Sequence, residues 1–234
     1  MARKIGSLAA LVALFAALAS SYGQDARPPA QSREAKAIAV LKSNASAEDK
    51  TNACLELSRI GTKEAVAPLA ALLGDETMAH MARYALEPIP DAAVDTALRD
   101  ALGRLQGRPL VGVIGSIGVR RDTQAVGPLG ALLKNSDAAV AQAAARALGS
   151  VGTPEAAKEL QAALGDPAAG NRADVQAAIA EGLFRCAESL SARDRRDDAV
   201  AIYQMLGGPK MPQPVRDAAV RKARFLRQEE GPRL

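Results

Sequence analysis

Three stretches of this chain can be laid on one another: SRIGTKEAVAPLAALLGDE (58–76), GSIGVRRDTQAVGPLGALLKNSD (115–137) and GSVGTPEAAKELQAALGD (149–166). Each runs from an apolar residue and Gly through a polar capping residue into an amphipathic segment ending in Leu, and closes on Asp or its neighbour. The halves that follow match as well. ARYALEPI and AARALGSVG put Leu86 and Leu148 at one offset from Asp75 and Asp137, since 86 − 75 and 148 − 137 are both 11. Gly118 to Gly152 spans 152 − 118 = 34 residues, and Gly61 to Gly118 spans 118 − 61 = 57, or two units of about 29. A unit near 30 residues that holds two segments of helical period is a helix pair. One pair cannot bury its apolar stripe alone, but stacked neighbours can, so the repeat predicts an all-α fold, an α-α superhelix.

The apolar spacing supports this, with Val66, Leu69, Leu72 and Leu73 in one first helix of a pair and Val126, Leu129, Leu132 and Leu133 in another. Thr62, Asp122 and Thr153 stand as N-caps, the last followed by Pro154 at the first helical position, where a missing N–H costs nothing. Pro68 and Pro128 lie deeper and predict kinks. Six pairs are expected: 31–43 with 46–60, 62–74 with 76–88, 91–106 with 108–118, 122–135 with 137–151, 153–165 with 172–189, and 194–207 with 213–229. The DPAAGNR connection in the fifth pair reads as a loop and a binding lip.

The stretch GRPLVGVIGSIGVRR (107–121) imitates a phosphate-binding loop, but its glycines are spaced Gly-x-x-Gly-x-x-Gly and its IGSIG superposes on LGSVG at 148–152. A dinucleotide loop needs Gly-x-Gly-x-x-Gly opening a helix after a strand. This stretch instead closes a helix, with Gly118 as its stop before an inter-repeat turn through Arg120, Arg121 and Asp122. Gly112 and Gly115 each cost a helix about 1 kcal/mol relative to Ala. A neighbouring helix is therefore expected to approach closely across them, making the third second-helix the tightest seam of the stack.

The first residues, MARKIGSLAALVALFAALASSYGQDA, carry Arg3 and Lys4, an uncharged apolar stretch, and small residues before Gln24, the three parts of a secretory signal peptide. The domain layout is then a signal peptide over 1–23, a tether over 24–30, the solenoid over 31–229 and a tail over 230–234. The mature chain is expected in the periplasm or outside the cell, with no transmembrane segment. Losing Arg3 and Lys4 takes the formal charge to 30 − 2 − 26 = +2. With no Trp and no basic cluster interleaved with aromatics, nucleic acid is not an expected partner. Cys54 and Cys186, 186 − 54 = 132 positions apart in an elongated fold, are expected to be buried and reduced, and no metal site follows from them.

The motifs EAVAPLAALLGD with ARYALEPI, and QAVGPLGALLKNSD with AAARALGSVG, resemble HEAT repeats of the short subtype first described in phycobilisome bilin lyases, over about 45–190. The resemblance implies an armadillo/HEAT-like solenoid and a role in binding proteins. Iron hydroxylases of HEAT-like architecture hold their metal with His-Glu pairs. None occurs here, and the single histidine cannot assemble such a centre, so no metal and no cofactor are expected.

His80, Arg83, Tyr84 and Glu87 on one second helix, with Gln142 and Arg146 on another, form the candidate protein-binding patch, because second helices commonly line the concave face of solenoids. Met78, Met81, Ala85 and Ile89 mark the buried side, which turns His80, Arg83 and Glu87 outward and leaves Tyr84 nearer the margin. The last helix carries a basic end in Arg216, Arg221, Lys222, Arg224 and Arg227. The expected function is that of a non-catalytic protein-binding scaffold of the cell envelope. Two alternatives stay open: a bilin-lyase-like or chaperone-lyase activity on a cofactor-bearing protein, and an envelope surface-binding module using the basic end.

Overall fold

The computed structural model describes residues 29–228; the expected signal peptide, most of the expected tether and the C-terminal tail lie outside these residues. Twelve helices make up six antiparallel pairs. They are α1 (Ala30–Lys42) with α2 (Ala47–Ile60), α3 (Lys63–Ala70) with α4 (Ala79–Leu86), and α5 (Ala92–Leu102) with α6 (Gly107–Arg120). After a 3₁₀ turn, Thr123–Ala125, come α7 (Val126–Leu132) with α8 (Ala138–Val151), α9 (Pro154–Gly165) with α10 (Ala173–Ser191), and α11 (Arg196–Leu206) with α12 (Gln213–Gln228). All six expected pairs are present, in an armadillo/HEAT-like stack with no strand among the described residues.

Capping chemistry sets the starts. The Thr62 hydroxyl accepts from the Glu64 N–H, Asp122 from Gln124, Asp137 from Ala139 and Thr153 from Ala156. The two internal prolines shorten helices that were expected to be kinked. Pro128 falls at the third position of α7, where its N–H would have had no intrahelical partner anyway, and the 3₁₀ turn precedes it. Beyond Pro68, α3 ends at Ala70. Both α3 and α7 run out in tight i to i+3 turns: Leu72 and Leu73 donate to Leu69 and Ala70, and Leu133 and Lys134 donate to Gly130 and Ala131.

Odd-numbered helices form one layer and even-numbered helices the other. In the even layer neighbours from α2 to α10 pack on one another, least between α4 and α6, and the seams of α8 with α6 and with α10 are the most extensive among the described residues. In the odd layer contact between α5 and α7 is slight, and an ion pair between Arg99 and Asp122 bridges it instead. Second helices commonly line the concave face of solenoids, and we accordingly term the even layer, which holds the closest seams, the inner one. One alanine-rich core runs unbroken from Ala37 in α1 to Leu226 in α12.

Glycine placement explains the close seams and corrects two expectations. A Cβ on Gly149 would lie 2.7 Å from Gly182 Cα, and one on Gly182 would lie 2.6 Å from the Ala145 carbonyl oxygen, so α8 and α10 meet backbone to backbone. The tightest seam is therefore there. At the third second-helix, α6, Gly118 does approach Ala147, but Gly115 faces open space and Gly112 faces the Arg83 side chain. Nor is Gly118 the helix stop. The helix continues through Arg120, and Arg121 takes the left-handed conformation, φ 54°, that Gly152 (φ 64°) takes at the end of α8.

The reason α6 runs on is Arg120. Its guanidinium donates to the carbonyls of Glu87 (2.8 Å), Ile89 (2.9 Å) and Asp91 (3.3 Å) and grips the Asp95 carboxylate through Nε and Nη2. All five N–H donors are used, closing the end of α4 onto the start of α5. The bond to Asp95 holds its pKa above the ordinary arginine value despite partial burial. In the fifth pair, the expected lip contains a helical turn, Pro167–Gly170, and is pinned: Arg172 donates to the Asn135 carbonyl at 2.6 Å and Lys134 pairs with Asp166.

Candidate functional site

Because α4 has only two turns, the side chains that leave its solvent side are few, and they meet α6 across a trough of about 310 Å³. His80, Arg83, Tyr84 and Glu87 line one wall, and Val111, Gly112, Gly115, Ser116 and Val119 line the other. Tyr84 is 49% exposed and Val119 64%, so both rims are wet and partly apolar. The order of exposure differs from that expected. Tyr84 and His80 point outward, whereas Arg83 and Glu87 are half-buried. Met81, expected among the buried residues, is also only half-buried. The seam between α4 and α6 is loose, and the long side chains of α4 lie partly in it rather than wholly in solvent.

Glu87 is held from two sides. Its Oε1 accepts from the Ser116 hydroxyl at 2.7 Å, and its backbone carbonyl accepts from Arg120. Ser116 is itself buried, so this pair ties α4 to α6 beneath the trough. Arg83 lies over Gly112. A Cβ at that position would collide with the guanidinium, and glycine is what makes its seat. Burial lowers the Arg83 pKa and the nearby Glu87 charge partly offsets this. The group stays protonated at any physiological pH. No hydrogen bond or ion pair to the Arg83 side chain is formed among the described residues.

The same surface continues over α8 and α10. Gln142 donates to Asp174 at 2.9 Å, while Arg146 is exposed. On α10, Glu181 pairs with Arg185 and Glu188 with Lys222. The four carboxylates of this strip, Glu87, Asp174, Glu181 and Glu188, are thus all bonded to neighbours, whereas Arg83 and Arg146 form no salt bridge among the described residues and Arg83 feels the Glu87 charge only at longer range.

The cations of the basic end spread around α12. Arg216 donates to the Met211 carbonyl, and Lys222 reaches back to Glu188 on α10. Lys222 and Arg227 stand on opposite flanks of the buried stripe of Ala219, Ala223 and Leu226, about 140° apart at ~100° per residue. Arg221 and Arg224 are exposed between them, beside an exposed Phe225.

Both cysteines are free and buried, as expected. Burial raises Cys54 to about 11 and Cys186 to about 12, and the Cys186 thiol faces the Leu148 carbonyl at 3.7 Å. Neither is a nucleophile at neutral pH. Among the described residues no group of three or more His, Cys, Asp or Glu side chains is placed to hold a metal, and no helix is long and apolar enough to cross a membrane.

The family model of HEAT repeats matches residues 110–183, from α6 into α10, which is the part of the stack with the closest inner seams. No curated protein matches the chain.

Proposed function

We propose that this chain is a non-catalytic scaffold that binds another protein on its inner, even-helix face. HEAT repeats generally serve as protein-interaction scaffolds, and the described residues offer no assembled set of acid, base and nucleophile. The observation that carries the reading is the strip from His80 and Tyr84 through Val119 to Arg146. It is exposed, partly apolar and carried on packed helices, and each of its carboxylates is bonded to a neighbouring side chain. Tyr and Arg are residues around which protein interfaces concentrate their binding energy. The chain works after export, in the periplasm or outside the cell, on the strength of the three-part leader in residues 1–23.

A photo-crosslinking residue placed at Tyr84 or Arg146 tests the face against one placed at Ala67 in the outer groove between α3 and α5. Protein adducts from the native envelope are expected at the two inner positions. Adducts at Ala67 alone would overturn the assignment of the face. Export is checked separately by N-terminal sequencing of the full-length chain made in its own cells: an intact Met1 in the cytoplasm rules it out.

A further inference from the structure

We infer that the trough between α4 and α6 receives a carboxylate carried on the protein partner, with Arg83 as the group that grips it. This rests on the inner-face reading above and adds the chemistry of the contact. A half-buried guanidinium has lost part of its hydration, and buried charges are ordinarily paired. Arg83 forms no hydrogen bond or salt bridge among the described residues: the Glu87 carboxylate one turn on is turned to Ser116 and acts on it only at longer range. The planar fork of arginine matches a carboxylate in two parallel bonds, and Gly112 holds that fork in one place instead of leaving it to sweep through solvent.

The surroundings select the kind of carboxylate. Val111 and Val119 offer apolar wall on the α6 side, and Gly115 leaves space there, with no atom near where its Cβ would stand. The group that fits is an Asp or Glu side chain, or a chain terminus, next to an aliphatic residue. A free small acid is disfavoured, since small-molecule sites enclose most of their ligand and this trough is open along a wet rim. Nucleic acid would need further cations beside Arg83 and stacking rings beyond Tyr84. Arg146 lies farther along the strip as a second cation with no salt bridge among the described residues, so an acidic segment laid along the face has a cation to reach at both ends.

The test is a selection of random dodecapeptides displayed on phage against the immobilised full chain, with single-stranded oligonucleotides as competitor. Recovered peptides are expected to be enriched in Asp or Glu beside an aliphatic residue. Arg83→Met should weaken a synthesised winner at least tenfold, the loss expected for a hydrogen bond to a charged group. Arg83→Lys should recover only part of it. Gly112→Ala keeps the charge but evicts the guanidinium from its seat, and should also weaken binding. Thermal unfolding of each variant confirms that the fold is intact.

Recovered peptides without acidic residues, winners indifferent to both Arg83→Met and Gly112→Ala, or displacement of the winners by the oligonucleotides would each overturn the inference. If winners ignore Arg83 but are lost on Tyr84→Ala or Arg146→Ala, the inner-face scaffold stands and the carboxylate contact falls. If no peptide is enriched, or winners ignore every inner-face variant, both fall.

Discussion

Two glycines inside helices of the inner layer should respond to the same substitution with opposite signs. Gly115 in α6 has nothing within 4 Å of where a Cβ would stand, so Gly115→Ala gains helix propensity and meets no steric obstacle. The expected gain is about 1 kcal/mol. For Gly149 in α8 the added carbon would sit 2.7 Å from Gly182 Cα and 3.0 Å from its carbonyl oxygen. Ordinary carbon contacts lie at roughly 3.5–4.0 Å, so α8 and α10 must part by about 1 Å. Main-chain atoms cannot turn aside like a rotamer, which puts the cost near the upper end of overpacking, about 3 kcal/mol, against the same ~1 kcal/mol propensity gain. The net loss is about 2 kcal/mol. At roughly 2–4 °C per kcal/mol for a chain of this size, Gly115→Ala should raise Tm by about 2–4 °C and Gly149→Ala lower it by about 4–8 °C. Circular dichroism at the helical band, with heat and with urea, reads both. A neutral Gly149→Ala, or a destabilising Gly115→Ala, would refute the account of which glycines are packing positions.

Arg120→Ala should cost about 3 kcal/mol, the low end for removing one partner of a buried ion pair, because it strands three carbonyls and Asp95 together; Arg120→Lys should rescue little, since an ammonium cannot span the same acceptors. Denaturant midpoints of the three proteins check this. Asp75 accepts from the Thr77 hydroxyl and from the Met78 and Thr77 N–H groups, which lowers its pKa. A lowered native pKa contributes stability above the unfolded carboxylate value, near 4, and loses it as pH falls through the native value, so Asp75→Asn should flatten the acid limb of a stability–pH curve. Both thiols should resist a water-soluble disulfide reagent at pH 8 until the chain unfolds, since burial holds them at about 11 and about 12; reaction of the native protein at the unfolded rate would contradict their placement.

The repeat was legible because its signals are local and recur. Capping Thr62, Asp122 and Thr153, the Leu pairs and the 11-residue offset each report on a few neighbouring residues, and copies reinforce one another. What the sequence left unread depends on distance. Nothing near Arg120 distinguishes it from Arg121, yet one gathers the end of α4 and the start of α5 while the other is an exposed left-handed cap. Gly112, Gly115 and Gly118 look equivalent in a line of text and have three different neighbours: a guanidinium, open space and Ala147. Helical spacing points to the patch on α4 but not to which of its side chains sink into the seam, because spacing fixes angles around one axis and not where the next helix lies.

The even-helix seams also join the fold to the proposed role. Small residues let α6, α8 and α10 approach closely. Small residues alone would leave such a face without grip. The chain supplies it by orienting its carboxylates, Glu87 toward Ser116 and Asp174 toward Gln142, with Glu181 paired to Arg185 and Glu188 to Lys222, which leaves Arg83 and Arg146 without a salt bridge among the described residues. Ser116→Ala therefore has a consequence beyond the lost bond. Released from Ser116, the Glu87 carboxylate becomes free to pair with Arg83 at i to i+4, a spacing at which opposite charges meet on a helix. The variant should bind an acidic peptide more weakly while keeping Arg83 in the chain, and Ser116→Ala combined with Glu87→Gln should restore the affinity. If the double variant is as weak as the single one, the Ser116–Glu87 bond is not what keeps Arg83 available to a partner.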